Sequence, residues 1–470
     1  MDKVGTKAHP YMPSSAGNAR SDMLGALDIK DVGEIFEQIP ETHRRKSPLQ
    51  LPEQLASELD LKRHLLSVLS QNGNCEDNLN FLGAGCWQHH VPSICDEIVG
   101  RAEFLTNVWG TPSSDHGRNQ ALFEFCSQLG DLLKLDMVGL PVYSYGCASG
   151  HAIRLASRIT GRKKVLIPRV IDPERKAVVV NYCAPENMDD HIEIVEINSV
   201  AASGGIDLEH LEKELSDDVA AIYFEVPNYF GLIEQHGQII SELARKNGAK
   251  TIVGCDPISL GILRSPVDYG ADIIVGPVQP LGVHMNCGGG VSGYIATPDE
   301  EVYVREYNTL NISITETEIK GQYGFGLSCA GQTSYGLREA GKDWTGNSTY
   351  LWAISGAVYM ALMGPSGFRE IGELITQQSN YAAQLMSEIE GIKMHFDAVV
   401  FKEFVLNFDD TGFSVRDINA RLRERNIFGG KDLSLEFPEL GQSALYCVTE
   451  IHTQKDIERL ATSLKEVLSS

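Results

Sequence analysis

The sequence predicts an α/β fold, with a mainly parallel sheet covered by helices and a small C-terminal α+β domain. The first observation is the length, because 470 residues are about three times a typical domain and leave room for a large and a small lobe. The second is a series of short apolar runs that alternate with helical stretches between residues 75 and 297. Such runs are typical of strands that are buried on both faces of a parallel sheet.

Residues 1–74 are predicted to form an N-terminal arm. Short helices are expected at 21–26, 32–38 and 50–71, and Pro40 and Pro48 end helical segments between them. The first 22 residues mix Lys, His, Pro, Ser and Gly without an apolar core, which is unlike a secretory signal. An arm of this kind often contacts a partner subunit.

Five apolar runs are predicted to be strands of the large domain, which we expect at residues 75–345. These runs are 164–167, 192–197, 220–226, 251–255 and 272–275. A sixth run, 291–297, follows three glycines and is predicted to be an antiparallel strand. Ligand sites of open α/β sheets lie at the carboxyl ends of strands. We therefore expect the functional site near the end of the run 251–255.

Linking helices and a small C-terminal domain are expected at residues 346–470. The run 350–363 is apolar and helical and ends at Gly364 and Pro365, after which 366–390 has an amphipathic pattern. The remaining elements are predicted strands at 399–406 and 444–448 and predicted helices at 415–425 and 454–468.

Composition and charge argue against several classes of function. The formal net charge is −23, without a basic run that carries interleaved aromatic residues, so nucleic acid is not expected as a partner. No run reaches the roughly 18 uninterrupted apolar residues of a membrane span, so a soluble, cytoplasmic protein is expected. The ten cysteines include no Cys-x-x-Cys pair, and no metal site is predicted.

Asp256 is the first candidate for a functional residue. It follows the strand 251–255 and precedes Pro257, so its carboxylate is expected to project from a strand end into the cleft. A buried carboxylate needs a cationic partner, and in pyridoxal-phosphate (PLP) enzymes that partner is the protonated pyridine nitrogen. A helix cap or a turn residue is the alternative interpretation of an aspartate at this place.

Two further segments carry candidate residues. Residues 143–150 open a predicted helix, and their small side chains and free backbone N–H groups would suit an anion; the alternative is an ordinary capped helix start. The loop 82–92 contains glycines, an aromatic residue and the adjacent His89 and His90. This loop is interpreted either as lining a pocket or as a structural loop.

Taken together, several motifs resemble the glycine dehydrogenase (decarboxylating) family, the P-protein of the glycine cleavage system, and within it the alpha subunit, subunit 1. The resemblance runs nearly from end to end and includes Asp-Pro-Ile-Ser-Leu-Gly at 256–261 and Val-Pro-Asn-Tyr-Phe-Gly at 226–231. The other matching segments are 36–40, 81–92, 101–104, 269–276, 279–282 and 447–450.

The resemblance implies a fold and a function. The fold is that of fold-type I PLP-dependent transferases, similar to aspartate aminotransferase, with a mainly parallel seven-stranded-type sheet. The alpha subunit looks like a PLP enzyme without its own lysine, and residues 276–282 contain none. PLP would then be held covalently by a partner beta subunit in a heterotetramer, which decarboxylates glycine and passes the aminomethyl group to a lipoyl carrier protein.

The same resemblance implies roles for individual residues. Cofactor-binding positions would be Asp256, Ser144, Gly146 and Ser149. The catalytic or interface positions would be His89, His90 and Asn228.

The sequence departs from the family pattern at segments expected to face the pocket, namely 113–117, 171–173, 143–146 and 339–349. Two alternatives follow: a P-protein-like subunit for a different amino acid or amine, or a non-catalytic scaffold or regulatory subunit. Lys342 lies ahead of a helix and away from the strand end where a Schiff-base lysine belongs. A surface or interface lysine is therefore the preferred interpretation for it.

Overall fold

The computed structural model describes residues 11–12, 17–47, 49–55, 57–105, 116–185, 187, 189–309, 311–327, 334, 337, 341–343 and 349–469. Of the segments that depart from the family pattern, residues 113–115, 339–340 and 344–348 lie outside these ranges. The chain divides into two compact units, Met1–Gly73 and Asn74–Ser470. The domain boundary predicted at 345/346 stays a prediction.

The first unit contains α1 (Gly17–Ala26), two short 3-10 helices and α2 (Glu58–Leu69). The predicted helix at 50–71 begins later than expected because Ser57 caps it, its hydroxyl accepting the backbone N–H of Asp60 at 3.0 Å. None of the described residues of this unit is buried. We call residues 17–73 the arm.

Among the described residues of the second unit, seven strands form the main sheet, in the order β2-β8-β7-β6-β5-β3-β4. In chain order the first strands are β1 (Leu79–Asn80), β2 (Met137–Val138), β3 (Lys164–Pro168), β4 (Glu193–Ile197), β5 (Val219–Val226), β6 (Lys250–Cys255), β7 (Ile273–Pro277) and β8 (Gly293–Thr297). Strands β3 to β7 are parallel, and β8 runs antiparallel to β7. The mainly parallel sheet and its antiparallel strand are thus confirmed.

Helices cover both faces of the main sheet. The helices of this unit before residue 312 are α3 (Ser93–Val99), α4 (His116–Leu133), α5 (Tyr145–Thr160), α6 (Pro173–Cys183), α7 (Leu208–Glu214), α8 (Gly237–Lys246) and α9 (Glu301–Val304). Successive residues of a strand point to opposite faces, and both faces are filled: Ile252 and Val253 of β6 are fully buried in two different hydrophobic clusters. Because both faces of these strands are buried, their sequences are continuous apolar runs without a polar alternation.

The C-terminal part contains a second sheet, in the order β11-β12-β15-β14 and antiparallel throughout. We call it the C-terminal sheet. The elements from residue 312 onward are β9 (Ile312–Glu316), β10 (Tyr323–Leu327), α10 (Tyr350–Ser387), β11 (Lys393–Met394), β12 (Glu403–Asn407), α11 (Val415–Arg423), β13 (Ile427–Phe428), β14 (Lys431–Asp432), β15 (Ser443–Cys447) and α12 (Gln454–Ser469). Strands β9 and β10 form a hairpin, and β1 pairs with β13. A third hydrophobic cluster fills the space beneath this sheet.

The long helix α10 is interrupted where the sequence predicts it. Gly364 has φ 56° and ψ −179°, and Pro365, which lacks a backbone N–H, follows it. By length and composition this helix could cross a membrane, but 44% of its most apolar stretch is buried inside the protein. It packs closely enough that a Cβ on Gly261 would lie 1.9 Å from the carbonyl oxygen of Phe368. We conclude that α10 serves as a core helix.

Candidate active site

Asp256 lies at the carboxyl end of β6, at the edge of the main sheet where the sequence predicts a site. Its side chain is buried, and one carboxylate oxygen, Oδ1, accepts the backbone N–H of Ile258 at 3.0 Å. Asp256 thereby caps the short 3-10 helix Pro257–Gly261. Its other oxygen, Oδ2, accepts a hydrogen bond from the ammonium of Lys402. The strand-end aspartate is therefore both a cap and one half of a buried ion pair.

Lys402 lies directly before β12 of the C-terminal sheet, and its side chain is 2% exposed. Its Nζ atom lies 2.9 Å from Nε2 of His89 and 4.2 Å from the ring centre of Trp87. The backbone of Lys402 has φ +68°, and the N–H of Glu403 donates to the carbonyl of Phe401 at 2.7 Å. This closes a three-residue turn of a rare and strained kind, with Lys402 at its centre.

His89 connects this ion pair to a second carboxylate. Nδ1 of His89 lies 2.7 Å from Oε2 of Glu450, whose Oε1 accepts the backbone N–H of His90 at 2.8 Å. Burial alone would raise the pKa of Glu450, but the interactions with His89 and the N–H of His90 lower this pKa to about 2. A continuous series of side-chain contacts, which we call the buried chain, therefore connects Asp256, Lys402, His89 and Glu450.

A second buried ion pair borders the same cavity. Nη1 of Arg175 on α6 donates to both carboxylate oxygens of Glu225 on β5, at 2.6 and 2.7 Å. The hydroxyl of Tyr223 donates to Glu225 at 2.6 Å, and the guanidinium lies 3.8 Å from the ring centre of Tyr145. Burial raises the pKa of Glu225, whereas Arg175 and the Tyr223 hydrogen bond act in the opposite direction.

Glu403 adds a carboxyl group beside this cavity. Its Oε1 accepts the backbone N–H of Ala84 at 2.6 Å. Because the side chain is buried, the pKa of Glu403 is raised to about 7. The loop that contains Gly231 presses on the backbone of Glu403, since a Cβ on that glycine would lie 1.8 Å from the Glu403 carbonyl oxygen. Glu403 thus sits where the two sheets meet.

The predicted anion site at the start of α5 has its side chains engaged within the fold. The hydroxyl of Ser144 accepts the N–H of Cys147 at 3.2 Å and caps the helix. Ser149 donates to the carbonyl of Tyr145 at 3.0 Å and lies 3.1 Å from the Tyr223 hydroxyl. Gly146 packs against α6, where a Cβ would lie 3.0 Å from Val178. These contacts describe a capped and tightly packed helix start.

Two other predicted residues, Asn228 and His90, have different surroundings. Asn228 lines the cavity, but its Oδ1 accepts the N–H groups of Phe230 and Leu232, so the side chain shapes its own turn. His90 is exposed, unlike its buried neighbour His89. Of the predicted site residues, His89 and Asp256 are the two that both contact the ammonium of Lys402.

The alternative lysine has a partner elsewhere. Nζ of Lys342 lies 2.6 and 2.8 Å from the two carboxylate oxygens of Glu306, and its side chain is one-third exposed. Lys342 is thus an ion-paired residue, and its partner Glu306 is 14% exposed and also pairs with Arg158.

Lys402, Arg175 and Glu225 were not singled out from the sequence. A signal was nevertheless present: Glu225 interrupts the apolar run 220–226, and Lys402 with Glu403 interrupts the run 399–406. A charge within a strand that is buried on both faces requires a partner. Such interruptions mark the positions where buried ion pairs are to be sought.

The residues present do not fit a bound PLP. The aspartate that would hold the ring nitrogen is already bound by Lys402 and by the N–H of Ile258. The cavity that remains, lined by Trp87, Tyr145 and Arg175 among others, measures about 20 Å³, which is room for about one water molecule. A pyridine ring with its phosphate has no place in this cavity.

Comparison with known proteins places these features in a family. The family model of the glycine cleavage system P-protein matches residues 9–464. A protein of Staphylothermus marinus named probable glycine dehydrogenase (decarboxylating) subunit 1 is 36% identical over 98% of this chain and 99% of its own length. A crystal structure of glycine decarboxylase (P-protein) of the glycine cleavage system, in inhibitor-bound form, is 28% identical, with a TM-score of 0.83 over 98% of this chain and 100% of that one.

A more distant likeness bears on the fold alone. The sphingosine-1-phosphate lyase of Burkholderia pseudomallei has a TM-score of 0.63 over 92% of this chain and 95% of its own, at 15% identity. The predicted fold-type I architecture of PLP-dependent enzymes is thus confirmed. The match of the family model over nearly the whole chain shows that this chain belongs to the glycine cleavage system P-protein family.

Proposed function

We propose that this chain is the lysine-less alpha subunit of a heteromeric glycine decarboxylase whose PLP is carried by a partner beta subunit. The assembly would decarboxylate glycine and transfer the aminomethyl group to a lipoyl carrier protein. Membership of the P-protein family supports this activity, and the name of the Staphylothermus marinus relative, subunit 1, supports the existence of a second subunit. A cytoplasmic location is part of the proposal.

The ion pair between Lys402 and Asp256 is the observation that carries the proposal. A subunit that used PLP itself would need this aspartate for the ring nitrogen and a lysine for the aldehyde carbon. Here the aspartate is taken by Lys402, and residues 276–282 contain no lysine. Both facts support a cofactor that is held by another chain.

The arm supports the presence of a partner subunit. Along α2 the exposed apolar side chains include Leu59 at 54%, Leu65 at 50%, Leu66 at 54% and Leu69 at 59%. A contiguous apolar surface of this kind marks an interaction site. We assign this surface to the beta subunit, and removal of residues 1–73 is expected to abolish formation of the pair in size-exclusion chromatography.

The activity is tested by exchange of labelled bicarbonate into glycine. We expect exchange when this chain, its beta subunit, PLP and a lipoylated carrier protein are combined, and none when either subunit is left out. Borohydride reduction followed by mass spectrometry is expected to place the PLP adduct on the beta chain. An adduct on this chain would overturn the lysine-less assignment.

A second candidate is a P-protein-like subunit for a different amino acid or amine. It is favoured by the segment 171–173, which departs from the family pattern and in which the Asp172 carboxylate caps α6 and lies 3.7 Å from Arg175. A folded pair that fails to exchange bicarbonate with glycine but does so with another amino acid would support this candidate. A folded pair that exchanges none would support the scaffold alternative.

A further inference from the structure

We infer that Lys402 is a built-in counter-cation, which occupies the place that a protonated pyridine nitrogen would take at Asp256. The inference deepens the proposed function, on which it rests, because it assigns a residue to the exclusion of PLP from this subunit. Three observations carry it: the partners of the ammonium, the strained backbone of Lys402, and the small space left in the cavity.

The ammonium of Lys402 has a complete set of partners. An ammonium carries three N–H donors and no acceptor. One N–H is directed to Oδ2 of Asp256 and another to Nε2 of His89, while the face of the Trp87 ring lies 4.2 Å from the nitrogen. A cation over an indole face is favourably placed. The carboxylate of Asp256, the imidazole of His89 and the face of Trp87 together form a cage around the cation. The Lys402 ammonium occupies this cage as a small organic cation would.

The backbone at Lys402 supports a specific role for the side chain. A side chain other than glycine at φ +68° is strained, and such strain persists only where the surroundings hold the residue in place. Here the carbonyl of Lys402 accepts the N–H of Val448 at 2.8 Å, and the N–H of Phe401 donates to the carbonyl of Gly231 at 2.9 Å. The turn is thus fixed from both sides and directs the ammonium toward Asp256.

The charges within the cage agree with this assignment. Nζ of Lys402 and Nε2 of His89 lie 2.9 Å apart, so one proton lies between the two nitrogens. The Lys402 ammonium and the His89 ring thus lie between two carboxylates, Asp256 and Glu450. A second cation brought in by a ligand ring would have to displace Lys402, leaving a buried ammonium without its acceptor.

Lys402 is not placed to act as a Schiff-base lysine. In PLP enzymes the aspartate contacts the ring nitrogen, whereas the lysine bonds to the carbon substituent on the opposite side of the ring. Lys402 contacts the aspartate itself, and the cavity of about 20 Å³ leaves no space for a ring between them. Its position is that of the cofactor's nitrogen.

A double-mutant cycle on the full-length chain tests this inference. The variants are Lys402→Met, Asp256→Asn and both together, and urea unfolding is followed by tryptophan fluorescence and circular dichroism. Each single substitution leaves one buried charge without its partner. We therefore expect the unfolding equilibrium constant to rise at least about 100-fold. The double variant removes both charges and is expected to recover most of this loss.

A surface pair serves as the control for this cycle. Lys393 and Asp410 also form an ion pair, but their side chains are 67% and 57% exposed, so Lys393→Met and Asp410→Asn are expected to show little coupling. If either single variant does not fold, folding of the double variant still supports the inference. Two results would overturn it: single variants as stable as the wild type, or a double variant whose loss equals the sum of the single losses.

Direct titration with PLP gives a second readout. The wild-type chain is incubated with PLP, desalted and examined by absorbance and mass spectrometry, and we expect no bound cofactor. Stoichiometric PLP that survives desalting would overturn the inference. Neither measurement uses glycine turnover, so an inactive pair with a strongly coupled Lys402–Asp256 cycle would contradict the proposed function and leave this assignment standing.

Discussion

Glu403 is expected to make the stability of this protein fall as the pH rises. Its side chain is buried, and burial raises its pKa from 4.5 to about 7 in the folded state. Between these two values the folded protein holds a proton that the unfolded chain has released. Stability that depends on this proton is fully present below pH 4.5 and is lost as the pH rises through about 7.

The size of this effect follows from the two pKa values. A tenfold change in proton affinity is worth about 1.36 kcal/mol, so the free energy of unfolding is expected to decrease by up to about 3.4 kcal/mol across this range. Glu403→Gln keeps an oxygen that can accept the N–H of Ala84 and removes the titrating group. Above pH 7 the variant is therefore expected to be more stable relative to wild type than it is at pH 4.5.

Urea unfolding from pH 4.5 to 8.5 measures this difference, because titrations common to both proteins cancel. The matched control is Glu212→Gln, which makes the same chemical change at an exposed glutamate on α7. Parallel stability curves for wild type and Glu403→Gln would refute the reasoning, since they would mean that Glu403 ionises equally in the folded and unfolded states.

Two further predictions concern the contacts around Glu403 and the buried chain. Gly231→Ala is expected to cost at least about 3 kcal/mol of the free energy of unfolding, because its Cβ would meet the Glu403 carbonyl oxygen and φ is +77°. Gly161→Ala, at φ +70° in open space, is its control and is expected to cost about 1 kcal/mol in urea unfolding. Glu450 has its pKa lowered to about 2, so it contributes stability above pH 4.5 that is lost as the pH falls toward 2. Glu450→Gln is expected to lower the free energy of unfolding by up to about 3.4 kcal/mol at pH 7. It is also expected to make the stability less dependent on pH below 4.5. An unchanged acid titration, followed by circular dichroism, would contradict this.

Strands and helices that depend on local pattern were predictable from the sequence. The fold class follows from apolar runs such as 220–226 and 251–255, which are buried on both faces in β5 and β6. The interruption of α10 follows from Gly364 and Pro365, whose backbone chemistry does not depend on tertiary structure. In these cases the information lies within a few adjacent residues.

The ion pairs could not be located in the same way. Lys402 and Asp256 are separated by 146 positions, and their contact depends on how the C-terminal sheet packs beside the main sheet. The predicted strand at 399–406 is correct in part only, since β12 begins at Glu403. The turn at Lys402, whose φ is positive, interrupts the extended backbone that the apolar run predicted. A local pattern of hydrophobicity contains no information about this turn.

The Lys402–Asp256 pair also bears on motion within the subunit. Asp256 lies at the end of β6 in the main sheet, and Lys402 lies directly before β12 in the C-terminal sheet. Any movement of the two sheets away from each other would therefore separate a buried ammonium from its carboxylate. Separating a buried pair costs several kcal/mol, which limits an open state to less than about 1% of the molecules at equilibrium. A protein that packs against both sheets therefore meets a single, fixed arrangement of the two.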